Sequence, residues 1–254
     1  MPVQKTDAIV IRSYPFGEFH KIIIFYTSDF GKVRAAAYGV RGPKSRFGGS
    51  LELLNRGTLV FSERPNKDLR IVQEFGLTDA FDGIKADYDR TTYGCYLAEL
   101  VNAIESEHSA NQGVFRLLQH GFDGLTRVND IALLARGFEL KLLDITGFAP
   151  QLSQCVVCSS HPPRNTLRFS TRLGGVLCDD CTHNDSNAPI LARGSCELMK
   201  FLRRCDLVHL DRVQASRLNH RELQLVLSRF ISYHTELTLK SLELIEDLNS
   251  SQRM

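Results

Sequence analysis

A change of hydrophobic period near residues 76–79 constrains this 254-residue chain more than any other feature. Before it, short apolar segments alternate with polar residues over positions 7–12, 21–27, 32–40, 57–63 and 69–75. They are rich in Val, Ile, Phe and Tyr, and are broken by turn residues such as Tyr14-Pro15-Phe16-Gly17 and Ser28-Asp29-Phe30-Gly31. No helical segment separates them, so a parallel sheet would lack its crossovers, and the pattern predicts a closed, antiparallel five-stranded barrel of the OB type. After the change the period is helical. Ile131, Leu134, Ala135, Phe138, Leu142 and Ile145 form one stripe that stops at Gly147 and Pro150. Leu223, Val226, Leu227, Phe230 and Ile231 form a second, and Leu237, Leu244, Ile245 and Leu248 suggest a last helix. Weaker helical patterns cover 91–104 and 112–125. The expected fold class is α+β, with an OB-type barrel over 1–78 and a helical domain over 79–254.

The helical domain is interrupted at 150–190 by a polar segment whose cysteines are spaced Cys155-x2-Cys158-x19-Cys178-x2-Cys181. Two residues between cysteines let both thiolates of a knuckle reach one ion, and two knuckles make the tetrahedral sulfur set that zinc prefers. Four thiolates leave no open coordination position, so one structural Zn2+ is expected, supplying the free energy that a segment this poor in apolar surface lacks. A redox Cys-x-x-Cys pair normally occurs once, at a strand-to-helix junction, and disulfides are disfavoured in a chain without a secretory signal. His161 and His183 lie near the knuckles and read as surface residues. Cys95, Cys196 and Cys205 fall on expected helices, where a buried structural thiol is the default.

The net charge of +2 hides an asymmetry: residues 1–75 carry +5, residues 76–150 carry −5 and the remainder +2. The basic third is the barrel. Within it, Lys32, Arg34, Arg41, Lys44 and Arg46 occur over fifteen residues with no acid between them. On a strand, Lys32, Arg34 and Tyr38 share one face with Ala36, while Val33, Ala35 and Ala37 face the interior. The strand runs into the glycine-rich loop Gly39-Val40-Arg41-Gly42-Pro43-Lys44-Ser45-Arg46-Phe47-Gly48-Gly49, which can bring guanidinium groups to phosphates and offers Phe47 to a base. Arg12 joins this candidate set, and Lys21 and Arg56 extend it if they fall on the same side. A solvated basic strand beside a flexible loop is the plainer reading of the same residues.

Other classes are excluded or disfavoured. With 43% hydrophobic and 24% charged residues the chain is neither disordered nor collagenous. No apolar run exceeds five residues, as at residues 22–26, so no membrane span is expected. The first residues show no signal peptide, and a cytoplasmic location is expected. A phosphate loop would need glycine where Tyr38 and Pro43 stand, and no metalloprotease, hydrolase-elbow or deaminase motif occurs, so an enzyme is not expected.

The basic loop Pro43-Lys44-Ser45-Arg46-Phe47-Gly48-Gly49, the opening Asp7-Ala8-Ile9-Val10-Ile11-Arg12, the stretch Gly147-Phe148-Ala149-Pro150 and the paired knuckles together resemble the RecO family of bacterial recombination mediators. The resemblance covers nearly the whole chain. It implies a DNA repair and recombination protein, associated with the nucleoid, that binds single- and double-stranded DNA and anneals complementary strands. With RecR, such a protein helps load RecA onto DNA covered by single-strand-binding protein. The cysteines are absent from some members, so the zinc expectation rests on spacing. Two other readings stay open on the residues alone: an RNA-binding OB protein, and a zinc-stapled adaptor whose helical domain binds proteins.

Overall fold

Alternate residues of five strands meet inside a barrel. In the computed structural model, which describes residues 2–43, 45–64, 67–107, 109–161, 166–235, 241 and 244–245, these strands are β1 (Val3–Phe16), β2 (His20–Thr27), β3 (Gly31–Ala37), β4 (Arg56–Arg64) and β5 (Lys67–Asp79). They close in the order β1-β2-β3-β5-β4, and β4 returns to β1. Ala8, Val10, Ile23, Phe25, Val33, Ala35, Ala37, Leu59, Phe61, Val72 and Phe75 fill the interior, as a period of two requires. All pairings but one are antiparallel. β3 runs parallel to β5, with Ala35 opposite Arg70 and Ala36 opposite Ile71, which corrects the expectation of a wholly antiparallel barrel. Parallel neighbours need a long connection, and here residues 38–55 together with β4 provide it.

β3 stops at Ala37 rather than at residue 40 because Gly39 adopts φ +71°, a left-handed conformation that ends the strand. The loop that follows is tied down from within. The Asn55 side-chain amide, 1% exposed, donates to the carbonyls of Gly49 (2.9 Å) and Ser50 (2.8 Å), and Phe47 and Leu51 enter the barrel core. Three helices complete this compact unit, which spans Met1–Phe122: α1 (Asp82–Lys85), α2 (Tyr88–Ile104) and α3 (Gln112–Arg127), the last running into the next unit. Asp87 caps α2 by accepting from the Arg90 amide at 2.9 Å.

The second unit, Asp123–Met254, is organised around α4 (Ile131–Ile145), the stripe read from the sequence. Its neighbours in this unit surround it so completely that Leu133 to Leu140 are all buried, including Arg136 and Glu139, which pair at 2.7 Å. The cysteine segment contributes a three-stranded sheet in the order β7-β6-β8, from β6 (Thr166–Ser170), β7 (Gly175–Leu177) and β8 (Ile190–Ala192). Helices α5 (Arg193–Arg204) and α6 (Arg217–Thr235) follow, with α6 carrying the second expected stripe. The expected last helix, through Leu237 and Leu248, lies for the most part outside the described residues. Among those residues no helix is long and apolar enough to cross a membrane.

Candidate functional site

A β-bulge decides which way the first arginine points. The register of β1 against β2 shifts between Val10 and Arg12, so one extra residue, Ile11, sits in β1. Val10 faces the barrel core, and regular alternation would send Arg12 inward as well; the extra residue turns it out. Arg12 then lies opposite Ile24, and Ile24 lies opposite Arg34, so both arginines occupy one outer row across three strands and both are exposed. The next row is Tyr14, Ile22 and Ala36, and the Arg34 guanidinium lies 5.9 Å from the centre of the Tyr14 ring.

The other basic positions are not equivalent. Lys32 belongs to the row of Ile9 and Tyr26, and its ammonium donates to the Asn102 carbonyl at the end of α2 (2.9 Å). Burial pushes the Lys32 ammonium below its ordinary pKa, against the attraction of Glu107 and Glu105. Lys32 lies on the same outer face as Arg34, as expected, with its ammonium held at the end of α2. Lys21 and Arg56 are engaged by acids, Glu52 at 3.3 Å and Asp79 at 4.0 Å. Arg41 and Arg46 are exposed on the loop, where the Arg46 guanidinium stands 4.8 Å from the Phe47 ring centre and reaches the Val72 carbonyl at 3.4 Å. Lys44 lies outside the described residues.

Phe47 is placed differently from the expectation of base stacking. Its ring is 7% exposed and packs in the barrel core, because a loop of 18 residues must cover apolar surface to be held, and an aromatic plug does this. The exposed rings are elsewhere. Phe16, Phe19 and Tyr38 are 41%, 45% and 39% exposed, and His20 packs edge-on against Tyr38 with 5.0 Å between ring centres and 6.4 Å from Phe16. Only Tyr38 of this group stood out in the basic pattern. Three rings and a histidine within Tyr14–His20 were the available signal, hidden because that stretch also reads as an ordinary turn.

The four cysteines converge. Backbone bonds from Val176 N to the Gln151 carbonyl (2.9 Å) and from Val156 N to the Val176 carbonyl (3.0 Å) lay residues 151–156 alongside β7, so the Cys155–Cys158 knuckle sits beside Cys178, which follows β7 directly. Gly175 permits this approach, since a Cβ there would stand 2.3 Å from the Gln151 carbonyl oxygen. A short 3-10 helix, Asp179–Asn184, carries Cys181 back, with its amide bonded to the Cys178 carbonyl at 3.1 Å.

All four sulfurs lie within 4.8 Å of one another, and those of Cys158 and Cys178 are 3.6 Å apart. Sulfurs placed about 2.3 Å from a tetrahedral ion are roughly 3.8 Å from each other, whereas a disulfide would need about 2.05 Å. The donor set therefore fits a metal ion. Hydrogen bonds from the Ser160 hydroxyl and amide, with help from Cys178 and Cys181, hold the Cys158 thiol at about 6, favouring the thiolate. At Cys155 burial opposes ionisation, but the amides of Cys158, Cys178 and Val157 outweigh it. Burial and the three neighbouring thiols push the Cys181 thiol up. Cys196, buried on α5 with its thiol on the Leu152 carbonyl at 3.4 Å, is pushed up to about 11 by burial and behaves as a packing residue. His161 and His183 are exposed.

The sequence matches the family described as Recombination protein O N terminal over residues 1–81 and Recombination protein O C terminal over residues 85–243. It is 32% identical over 254 residues to a DNA repair protein RecO of Desulforamulus reducens, covering 99% of this chain and 97% of that protein. It is 34% identical over 262 residues to a DNA repair protein RecO of Symbiobacterium thermophilum, covering 99% and 100%. With both halves matched and the barrel, helices and cysteine cluster in the expected order, the chain belongs to the RecO family of DNA repair and recombination proteins.

Proposed function

We propose that this protein is a recombination mediator that works by binding, not by breaking bonds: it holds single- and double-stranded DNA, anneals complementary strands and, with RecR, promotes RecA loading onto DNA coated by single-strand-binding protein. The observation that carries the reading is the outer row in which the bulge sets Arg12 beside Ile24 and Arg34, with Arg41 and Arg46 exposed on the adjoining loop. Strands that repel each other pair faster when their phosphates are neutralised and their bases left open, and a basic barrel face does this without reading sequence. Arg12, Arg34, Arg41, Lys44 and Arg46 are assigned to phosphates and Tyr38 to a base. Phe47 supports the face from the barrel core, and Lys32 braces it at its edge, against the end of α2. The barrel over 1–78 is the nucleic-acid-binding domain, and such a protein works at the nucleoid.

Cys155, Cys158, Cys178 and Cys181 would hold one zinc ion, which supplies a structural cross-link and no reaction chemistry. The test is strand annealing. Purified protein is mixed with complementary labelled strands, bare and then coated with single-strand-binding protein, across a salt series. Annealing of both that falls steeply with salt is expected; tight binding to single strands without annealing removes the mediator reading.

A further inference from the structure

We infer that Phe16, Phe19 and Tyr38 form a stacking rim for unpaired bases, which gives this barrel face a preference for single-stranded over double-stranded DNA. The inference rests on the DNA-binding reading above and adds what that reading lacks, a way to tell the two strand states apart.

Isolated exposed aromatics are ordinary on a protein surface, but Phe16 and Tyr38 are held on either side of His20, and the exposed Phe19 precedes that histidine in the turn. Phe16 pairs with His20 at the end of the β1–β2 hairpin. The Gly39 amide donates to the His20 ring nitrogen Nδ1 at 3.0 Å, and the Arg41 amide donates to the Phe19 carbonyl at 3.1 Å. Those two bonds tie the hairpin turn to the chain leaving β3, so Tyr38 lands against His20, and Arg41 lies next to the turn. The outer face of β1, β2 and β3 thus runs from the Arg12–Ile24–Arg34 row, through Tyr14, to the row of Phe16 and His20 with Tyr38 beside it.

This gradient fits one kind of occupant. A single strand can lay its phosphates along the arginines and turn its bases onto the rings, because every base has a face that stacks. A duplex offers the same phosphates but keeps its base faces inside. Between Arg12 and Thr27 the sequence has one acid, Glu18, in the turn itself. A carboxylate there disfavours phosphate at the hairpin tip and leaves the tip to bases.

The chain has no tryptophan, which makes a direct reporter available. Three full-length proteins are compared: wild type, the triple variant Phe16→Leu, Phe19→Leu, Tyr38→Leu, and Phe19→Trp. Leucine keeps apolar area at exposed positions while removing the ring, and circular dichroism checks that the fold is retained. Binding of labelled oligothymidylate and of a duplex of equal length is followed by anisotropy over a salt series.

The triple variant is expected to bind the single strand about tenfold to a hundredfold more weakly, with duplex affinity within about twofold and the salt slope for both unchanged. Phe19→Trp fluorescence should be quenched by oligothymidylate and not by duplex. Equal losses on both forms, or an unchanged single-strand affinity in the folded triple variant, overturn the inference while leaving the DNA-binding reading intact. Failure of the wild type to bind either form overturns both. Wild-type self-association that the triple variant loses, without quenching of Phe19→Trp by DNA, assigns the rim to a second copy of this chain instead.

Discussion

The Tyr26 hydroxyl donates to the Glu105 carboxylate across 2.8 Å, joining β2 to the residue that ends α2, with both groups buried. Burial, then the hydrogen bond and charge of Glu105, push the Tyr26 phenol far above its ordinary range, so it stays a donor at any physiological pH. Glu105 is 8% exposed, and removing its partner leaves a carboxylate that water reaches poorly. Tyr26→Phe is therefore expected to destabilise the protein by about 1–3 kcal/mol, read as a lower urea midpoint. A midpoint within error of wild type would mean that another group satisfies Glu105.

Asp130 gives the second unit a predictable response to acid. Its carboxylate caps α4 by accepting from the Leu133 amide at 2.9 Å and faces His220 Nε2 at 3.1 Å. Burial pushes this carboxyl up, but His220 and the Leu133 amide outweigh it and hold it below its ordinary value. A carboxyl lowered in the folded state contributes stability above the unfolded value of about 3.9, and loses it as the pH falls through the folded value. The thermal unfolding midpoint of wild type should fall on acidification through that window, and Asp130→Asn should show a shallower acid dependence. Parallel curves would remove Asp130 from the acid response.

The cysteine cluster is expected to be a cross-link that the sheet cannot do without. Replacing Cys155 and Cys178 with serine takes one sulfur from each knuckle. Zinc content by elemental analysis should fall from about one ion per chain to near none, because two thiolates hold the ion far less well than four. Protection of β6 and β7 amides against hydrogen exchange should drop while that of β1 to β5 stays. A double variant that still carries a full equivalent of metal contradicts the ligand assignment.

Elements governed by a short-range pattern were legible in the sequence. The five strands follow from alternation, α4 from its stripe and the stop at Gly147 and Pro150, and the cysteine cluster from its spacing. Features set by contacts between distant segments were not. Nothing in the run Ile9-Val10-Ile11-Arg12 says which residue is the extra one, yet that shift decides whether Arg12 faces water. Lys32 reads as the start of a basic face, and its ammonium is held by the Asn102 carbonyl, seventy residues away. Phe47 reads as a ring offered by a loop, but it is needed to fasten that loop.

The role of Phe47 can be separated from DNA contact. Its removal should open a cavity in the barrel, so Phe47→Ala is expected to cost about 3–5 kcal/mol of stability. Phe47→Leu retains most of the volume and should leave affinity for single strands within about twofold. A large loss of affinity in a stable Phe47→Leu protein would return the ring to the binding face.

The sharpest contrast lies between Arg34 and Lys32, two residues apart on β3, one exposed and one docked. Reversing Arg12 and Arg34 to glutamate should weaken single-strand binding and lower the slope of log affinity against log salt by about 1–2, as expected when two phosphates lose their partners. Lys32→Gln removes one more positive charge on paper, but that charge lies against the Asn102 carbonyl, half-buried. Its cost should therefore appear in the urea midpoint, with the salt slope close to that of wild type. If Lys32→Gln lowers the slope as much as a single arginine reversal does, the ammonium leaves α2 to meet DNA, and the face extends one row further than the register of β1, β2 and β3 places it.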